Sequence, residues 1–203
     1  MPFDPVRISA PTEAPVTLDE VKAHLRVVER DDAGNALQHE DDALIQSYID
    51  AAVSHLDGWS GVLGRCLVEQ TWRADFAAFT QCMRLPLAPV LSIASVRYRL
   101  PDGTISTVAA DNYALELQGG GSALVWFKSK FSRPSNLYER RPVSIEFVAG
   151  YGVASNVPAA LKHAIMMMVA HWYQHAEAVG QVSFEELPFA VSALTSPFRR
   201  ISL

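Results

Sequence analysis

The stretch that decides the fold runs from residue 143 to residue 179 and reads VSIEFVAGYGVASNVPAALKHAIMMMVAHWYQHAEAV. It begins with a run of β-branched and aromatic residues, Val143 to Ala149, which is typical of an antiparallel strand. Pro158 then suits the first turn of a helix, because the amide that proline lacks would have no partner there. The stretch therefore predicts a strand followed by a long helix that ends before Gly180, and an α+β fold.

Six similar runs precede this strand and are separated by turn signals. Pro101-Asp102-Gly103 predicts a hairpin between the third and fourth strands, and Gly119-Gly120-Gly121 predicts another between the fifth and sixth. We interpret residues 66–150 as an antiparallel β domain inserted between helices. The seven predicted strands are Leu67–Phe76, Gln81–Leu85, Ile93–Arg99, Thr104–Val108, Tyr113–Leu117, Ala123–Phe127 and Val143–Ala149.

Three helices are predicted around this insertion. Thr17 and Glu20 have the spacing of a capping box, in which each side chain satisfies a free amide, so we expect a helix over residues 18–27. Apolar residues recur at steps of three and four over residues 41–57, which predicts the second helix. The third helix, residues 158–179, is apolar on two faces and is expected to be buried on both. Its second face meets either a neighbouring subunit or the inserted sheet.

Both ends of the chain are expected to lie against other surfaces. Residues 1–15 contain four prolines and no helical periodicity, which predicts an extended N-terminal arm before the core helices of residues 16–65. After the core helix within residues 151–180, residues 181–203 are apolar without a long periodic element, which is typical of a tail that docks on another protein. The tail residues expected to bind a partner are Phe189, Leu194, Phe198, Arg199 and Arg200.

Charge argues against a protein that binds nucleic acid over its whole surface. The 203 residues carry a formal net charge of −5, whereas such binding requires Lys and Arg to neutralise many phosphates. One segment, residues 128–141, is basic. Three interpretations of it stay open: a solvated loop, a charge complement to a neighbouring subunit, or a basic rim near passing DNA. Its basic residues are Lys128, Lys130, Arg133, Arg140 and Arg141.

Patterns for catalysis or for a bound cofactor are missing from the sequence. His171 and His175 have the spacing of a metal pair, but the glutamate of the HExxH pattern and a third ligand are absent. Cys66 and Cys82 lack CxxC spacing and are interpreted as two buried thiols. The sequence also shows neither a secretory signal nor an apolar run long enough to span a membrane. We expect a soluble protein made in the cytoplasm, with no catalytic residue, metal or cofactor.

Two parts of the sequence combine phrases whose order and spacing are informative. The first part has PVTLDEVKAHLR at residues 15–26 and DALIQSYIDAA at residues 42–52. The second has FVAGYG at residues 147–152, VPAALK at residues 157–162, and then Trp172-Tyr173. Together they resemble the head–tail connector (adaptor) proteins of tailed phages. The β insertion agrees with a larger subgroup of that family, which is also found in prophages and gene transfer agents.

The resemblance implies a structural protein of the virion neck rather than an enzyme. Connectors of this family form a ring, usually a dodecamer, beneath the portal, and DNA passes through the ring. The implied partners are further copies of the chain, the portal protein, and a tail-completion, stopper or tail-terminator protein. The resemblance also implies transient contact with DNA. Assembly is expected in the host cytoplasm. The alternative is a tail-completion or neck protein at another level of the tail tube. The rival from another class is a small metal-dependent or hydrolytic enzyme.

Overall fold

The computed structural model describes residues 3–28, 31, 34, 37–175 and 189–200. It contains both helices and antiparallel strands, so the predicted α+β class is confirmed. The chain folds as two compact units, each built from two stretches of sequence. A strand unit consists of residues 1–12 and 65–152, and a helical unit consists of residues 13–64 and 153–203.

The described part of the strand unit, residues 3–12 and 65–152, contains two antiparallel sheets. Its strands are β1 (Val6–Ser9), β2 (Gln70–Phe76), β3 (Cys82–Arg84), β4 (Val90–Arg99), β5 (Ile105–Thr107), β6 (Tyr113–Leu117), β7 (Ala123–Phe127) and β8 (Val143–Ala149). Five strands form one sheet in the order β1-β2-β8-β4-β5, and three form the other in the order β3-β7-β6. Both predicted hairpins are present, because β4 pairs with β5 and β6 pairs with β7.

One hydrophobic core fills the strand unit. Every second residue is buried along β7 and along β8, as expected for strands with one face turned inward. Ile145 and Phe147 from the larger sheet and Phe127 from the smaller sheet are completely buried in one cluster. The two sheets therefore pack face to face, and the alternate side chains of β7 and β8 point away from the core.

The two cysteines differ in exposure. Cys66 is fully buried, whereas Cys82 is exposed. The prediction of two buried thiols is wrong for Cys82, because β3 buries only its middle residue, Met83, and leaves Cys82 and Arg84 outside.

The N-terminal segment joins the strand unit as an edge strand. β1 pairs with β2, with Val6 opposite Arg73 and Arg7 opposite Trp72. All four residues of β1 are exposed, as on the outer edge of a sheet. The extended conformation expected of residues 1–15 is thus observed over Val6–Ser9, where sheet hydrogen bonds hold it.

Among its described residues, the helical unit contains four α-helices, namely α1 (Leu18–Leu25), α2 (Asp42–Leu56), α3 (Ala159–Gln174) and α4 (Phe189–Thr195). The predicted capping box is present: Thr17 N–H donates to Glu20 Oε2 at 2.7 Å, and Glu20 N–H donates to Thr17 Oγ1 at 3.1 Å. α3 packs against α1, α2 and α4. The surfaces that bury α3 therefore include α4, a short helix that the sequence analysis did not predict.

A buried lysine joins the first two helices. The Lys22 side chain is 2% exposed, and its Nζ lies 2.8 Å from Asp42 Oδ1. The hydrogen bond from Lys22, aided by one from the backbone of His39, lowers the pKa of the Asp42 carboxyl. The neighbouring Asp41 accepts a hydrogen bond from the Tyr173 hydroxyl at 2.6 Å. Asp41 and Asp42 therefore tie the start of α2 to α1 and α3.

Candidate partner-binding surfaces

Part of the predicted docking tail is folded onto the helical unit of the same chain. α4 packs against α3, and it buries Val191 and Thr195 so that each is only 2% exposed. After α4, Arg200 N–H donates to Leu63 O at 2.9 Å, which fixes this part of the chain beside the segment that follows α2. Residues 181–188 and 201–203 of the tail lie outside the described residues.

The five predicted tail anchors differ in what they offer a partner. Phe189 is 88% exposed at the start of α4, and Arg199 is also exposed. Leu194, Phe198 and Arg200 are half-buried. Removing a large apolar side chain from water contributes about 1.5–3 kcal/mol before ordering costs are subtracted. Phe189 is therefore the anchor with the most apolar surface left to bury.

Within the basic segment, Lys130 already pairs with an acid of its own chain. Lys130 Nζ lies 2.5 Å from Asp111 Oδ2. This hydrogen bond, together with the charges of Lys130 and Lys128, lowers the pKa of the Asp111 carboxyl. The pair with Asp111 reduces the charge that Lys130 offers to another molecule. Arg133 and Arg140, which follow in the same segment, are exposed.

The outer face of the five-stranded sheet carries a feature that the sequence analysis missed. An open depression of about 400 Å³ lies there, and four arginines line it. We call it the arginine depression and define it by Arg73 on β2, Arg97 and Arg99 on β4, and Arg141 just before β8. Its other lining residues are Asp75, Tyr98, Ile105, Pro142, Ser144 and Glu146.

Sheet register brings these side chains together. Arg73 stands opposite Glu146 across β2 and β8, and Arg97 stands opposite Ser144 across β4 and β8. Residues two apart on a strand share a face, so Arg99 lies on the same side as Arg97. Alternation along each predicted strand could have shown which arginines share a face of that strand. It could not have shown that β8 lies between β2 and β4, because strand order depends on contacts between distant residues.

Two of the four arginines have acidic partners inside the depression. Arg73 Nε lies 3.1 Å from Asp75 Oδ1, and Arg97 Nη1 lies 3.4 Å from Glu146 Oε1. The Glu146 carboxylate also accepts a hydrogen bond from Ser95 Oγ at 3.2 Å. These contacts hold the two arginines in place and balance their charge.

The other two arginines stack on aromatic rings instead. Cζ of Arg99 lies 3.9 Å from the centroid of the Tyr138 ring, and Cζ of Arg141 lies 4.4 Å from the centroid of the Phe3 ring. Across the part of the chain that the structure describes, neither has an Asp or Glu within ion-pair distance. Arg141 thus separates from the lysines of the basic segment and belongs to the arginine depression.

The described residues contain no group of three or more His, Cys, Asp or Glu side chains placed to hold a metal ion. The rings of His171 and His175 lie with centroids 4.5 Å apart, and His175 Nδ1 lies 2.7 Å from His171 O. That backbone contact occupies one ring nitrogen of His175. Among the same residues, no helix combines the length and apolar character needed to cross a membrane.

Comparison with known proteins gives similarity at the level of fold. No family model and no curated protein matches the chain. A chain of the neck of an empty GTA particle computed with C6 symmetry has a TM-score of 0.72 and 22% identity, covering 99% of this chain and 97% of that one. A chain of the virion of a native gene transfer agent (GTA) particle has a TM-score of 0.72 and 24% identity, with the same coverage of both chains. A chain of the neck of a native GTA particle computed with C12 symmetry has a TM-score of 0.73 and 21% identity, again with 99% and 97% coverage.

Proposed function

We propose that this chain is a structural subunit of a virion neck, a head–tail connector that forms a ring between the portal and the tail. The observation that supports this most is the extent of the fold similarity. A chain of a native GTA neck matches with a TM-score of 0.73 over 99% of this chain and 97% of its own length. The match therefore includes both the strand unit and the helical unit, not one common substructure.

The size of the ring is proposed from the symmetry of those particles. The neck structures with a matching chain were computed with C6 and C12 symmetry. A closed ring of twelve copies of this chain has C12 symmetry, which includes C6 symmetry, and so agrees with both neck structures. In such a ring every copy uses the same pair of surfaces, so individually weak contacts add up once the ring closes. DNA passes through the centre of the proposed ring.

The proposed partners are the portal protein on one side and a tail-completion, stopper or tail-terminator protein on the other. Phe189 and Arg199 in the tail are the exposed residues assigned to the portal contact. The half-buried anchors Leu194 and Phe198 are assigned to holding this segment in shape. Assembly takes place in the host cytoplasm, and the finished ring lies in the virion neck.

Separate binding tests with the portal protein and with tail components show at which level of the neck the chain sits. Purified chain is mixed separately with the portal protein and with tail components of the same particle, and complex mass is followed by light scattering. A connector binds the portal in the absence of tail components. Binding to tail components alone would instead support a tail-completion protein at another level of the tube. Binding to neither would overturn the proposed function.

A further inference from the structure

The arginine depression combines three features of a binding site: a concave shape, positive charge and preorganised side chains. Four guanidinium groups and two carboxylates line it, so its formal charge is positive. Arg73 and Arg97 are held by Asp75 and Glu146. The remaining positive charge is that of Arg99 and Arg141.

Arg99 is held in position on both sides. Its guanidinium stacks on Tyr138, whose backbone N–H donates to Arg99 O at 2.9 Å. Arg99 N–H in turn donates to Pro142 O at 2.7 Å. Arg99 Nε donates to Gly103 O at 3.4 Å, which helps to fix the guanidinium on Tyr138, while its Nη groups can still donate to an incoming carboxylate. A guanidinium held in this way loses little side-chain entropy when a carboxylate binds. The depression therefore presents two preorganised donors to an anionic group.

The charge of the chain is divided unequally between its two units. The strand unit has 11 Lys and Arg against 8 Asp and Glu, a formal net charge of +3. The helical unit has 6 Lys and Arg against 14 Asp and Glu, a formal net charge of −8. Two copies of the chain can thus attract each other when the strand unit of one meets the helical unit of the other.

We propose that the arginine depression of one copy receives carboxylates from the helical unit of a second copy. The contact is head-to-tail, since it joins two different surfaces, and a head-to-tail contact whose rotation closes generates a ring. This inference rests on the proposed function and names the surface through which neighbouring subunits recognise each other. Exposed acids that suit the role lie on the helical unit, for example Asp19 in α1 and Asp50 in α2.

Side-chain carboxylates fit the depression better than the phosphates of DNA. Duplex DNA presents closely spaced phosphates and is bound by Lys and Arg that neutralise many of them. Asp75 and Glu146 lie inside the depression and repel a row of phosphates. An acidic side chain that enters alone can avoid these two acids and pair bidentately with Arg99 or Arg141.

Self-association of the full chain tests the proposal. Sedimentation velocity is run at about 50 mM and about 500 mM NaCl, because the higher salt screens exposed charges strongly. We expect wild-type association to weaken about tenfold or more with salt, and Arg99→Glu to weaken it about tenfold at low salt. Arg84→Glu on β3 is the matched control, since it reverses one exposed arginine of the same unit outside the depression. Arg99→Gln is included as a milder change, and thermal unfolding establishes that each variant is folded.

Cross-linking then identifies the bound group. Arg97→Lys and Arg99→Lys introduce amines that a carbodiimide can join to a nearby carboxylate, and mixing isotopically light and heavy chains separates contacts between copies from those within one. Links between copies to acids of residues 13–64 or 153–200 are expected. If wild type assembles but Arg99→Glu assembles equally well, or if the only links are to Asp75 and Glu146, the inference fails while the ring stands. DNA binding that Arg99→Glu abolishes without changing assembly also overturns it. Failure of wild type to assemble under any condition, with or without portal, overturns the proposed ring itself.

Discussion

The strand unit and the helical unit handle their charged residues in different ways. The strand unit keeps an apolar core between two sheets and places arginines on its outer face, where Arg73 pairs with the buried Asp75 and Arg97 with the half-buried Glu146. The helical unit, which is much more acidic, instead buries Lys22 beside Asp42 between two helices. Surface pairs contribute little to stability, whereas a buried charge makes its partner indispensable. The strand unit therefore offers Arg99 and Arg141, which have no acid within ion-pair distance among the described residues, to a partner on assembly, whereas the helical unit depends on the Lys22–Asp42 pair for folding.

The largest effect is expected from the core of the strand unit. Phe147→Ala removes a ring that is completely buried on β8, and it should lower the free energy of unfolding by about 3–5 kcal/mol. Hydrogen exchange measured by peptide should show the loss of protection mainly in residues 65–152. Leu117→Ala, at a β6 position that is 63% exposed, is the control and should have little effect. Equal loss of protection in α2 and α3 would show that the two units unfold as one.

The buried pair of the helical unit should come next. Lys22→Ala leaves Asp42 without its cation and is expected to cost about 3 kcal/mol in denaturant unfolding. Lys162→Ala is the matched control, because its Nζ lies 3.8 Å from Glu20 in a more exposed pair, which should contribute less than about 1 kcal/mol. Similar losses in both variants would contradict the distinction between buried and surface ion pairs.

A smaller effect of pH is expected in the helical unit. The rings of His24 and His163 meet edge to face with centroids 5.5 Å apart, and burial together with the charge of His163 lowers the pKa of His24 from 6.5. The unfolded chain then binds this proton more readily than the folded one. The stability from His24 is complete above about pH 6.5 and is lost as pH falls through its folded pKa.

Urea unfolding across this pH range measures the effect. In His24→Gln, the free energy of unfolding should change less between neutral pH and the folded pKa of His24 than it does in wild type. The Asp42 carboxyl does not interfere, because its pKa is lowered from 3.8 and it titrates at more acidic pH. An unchanged pH dependence in His24→Gln would assign the effect to another group.

The smallest effect on folding is expected at the tail. Phe189→Ala changes a side chain that is 88% exposed, so the free energy of unfolding should stay within about 0.5 kcal/mol of wild type. Its portal affinity should nevertheless fall, because a buried aromatic anchor carries much of the energy of an interface. Val153→Ala, at a helical-unit position that is 57% exposed, is the control for the loss of exposed apolar surface. Equal portal binding by Phe189→Ala and wild type would remove Phe189 from the interface.

Features set by neighbours in sequence were predictable. Runs of β-branched and aromatic residues divided by turn signals located β6, β7 and β8 with the bounds that the structure has, and the Thr17–Glu20 spacing located the start of α1. Pro158, predicted in the first turn of the third helix, lies immediately before α3, so the start of that helix was located to within one residue. In each case a local rule of hydrogen bonding or side-chain direction decides the outcome, so no knowledge of distant contacts is needed.

Features that depend on distant contacts were missed. The pairing of Lys22 with Asp42 requires α1 and α2 to be packed, and the arginine depression requires β8 to lie between β2 and β4. The seven-residue helix α4 is too short to give a clear period, and it takes its place by packing on α3. The role of Arg141 was predicted from its basic neighbours in sequence, but its contacts are with Phe3 and the depression.

The central claim, that copies of this chain form a ring on the portal, is tested most directly by electron microscopy of the purified chain mixed with portal rings. The account predicts class averages with an added ring coaxial with the portal and with sixfold or twelvefold symmetry, as in the GTA necks whose chains share the fold. A chain that leaves the portal unchanged, or binds it as isolated copies without a closed ring, would contradict the account.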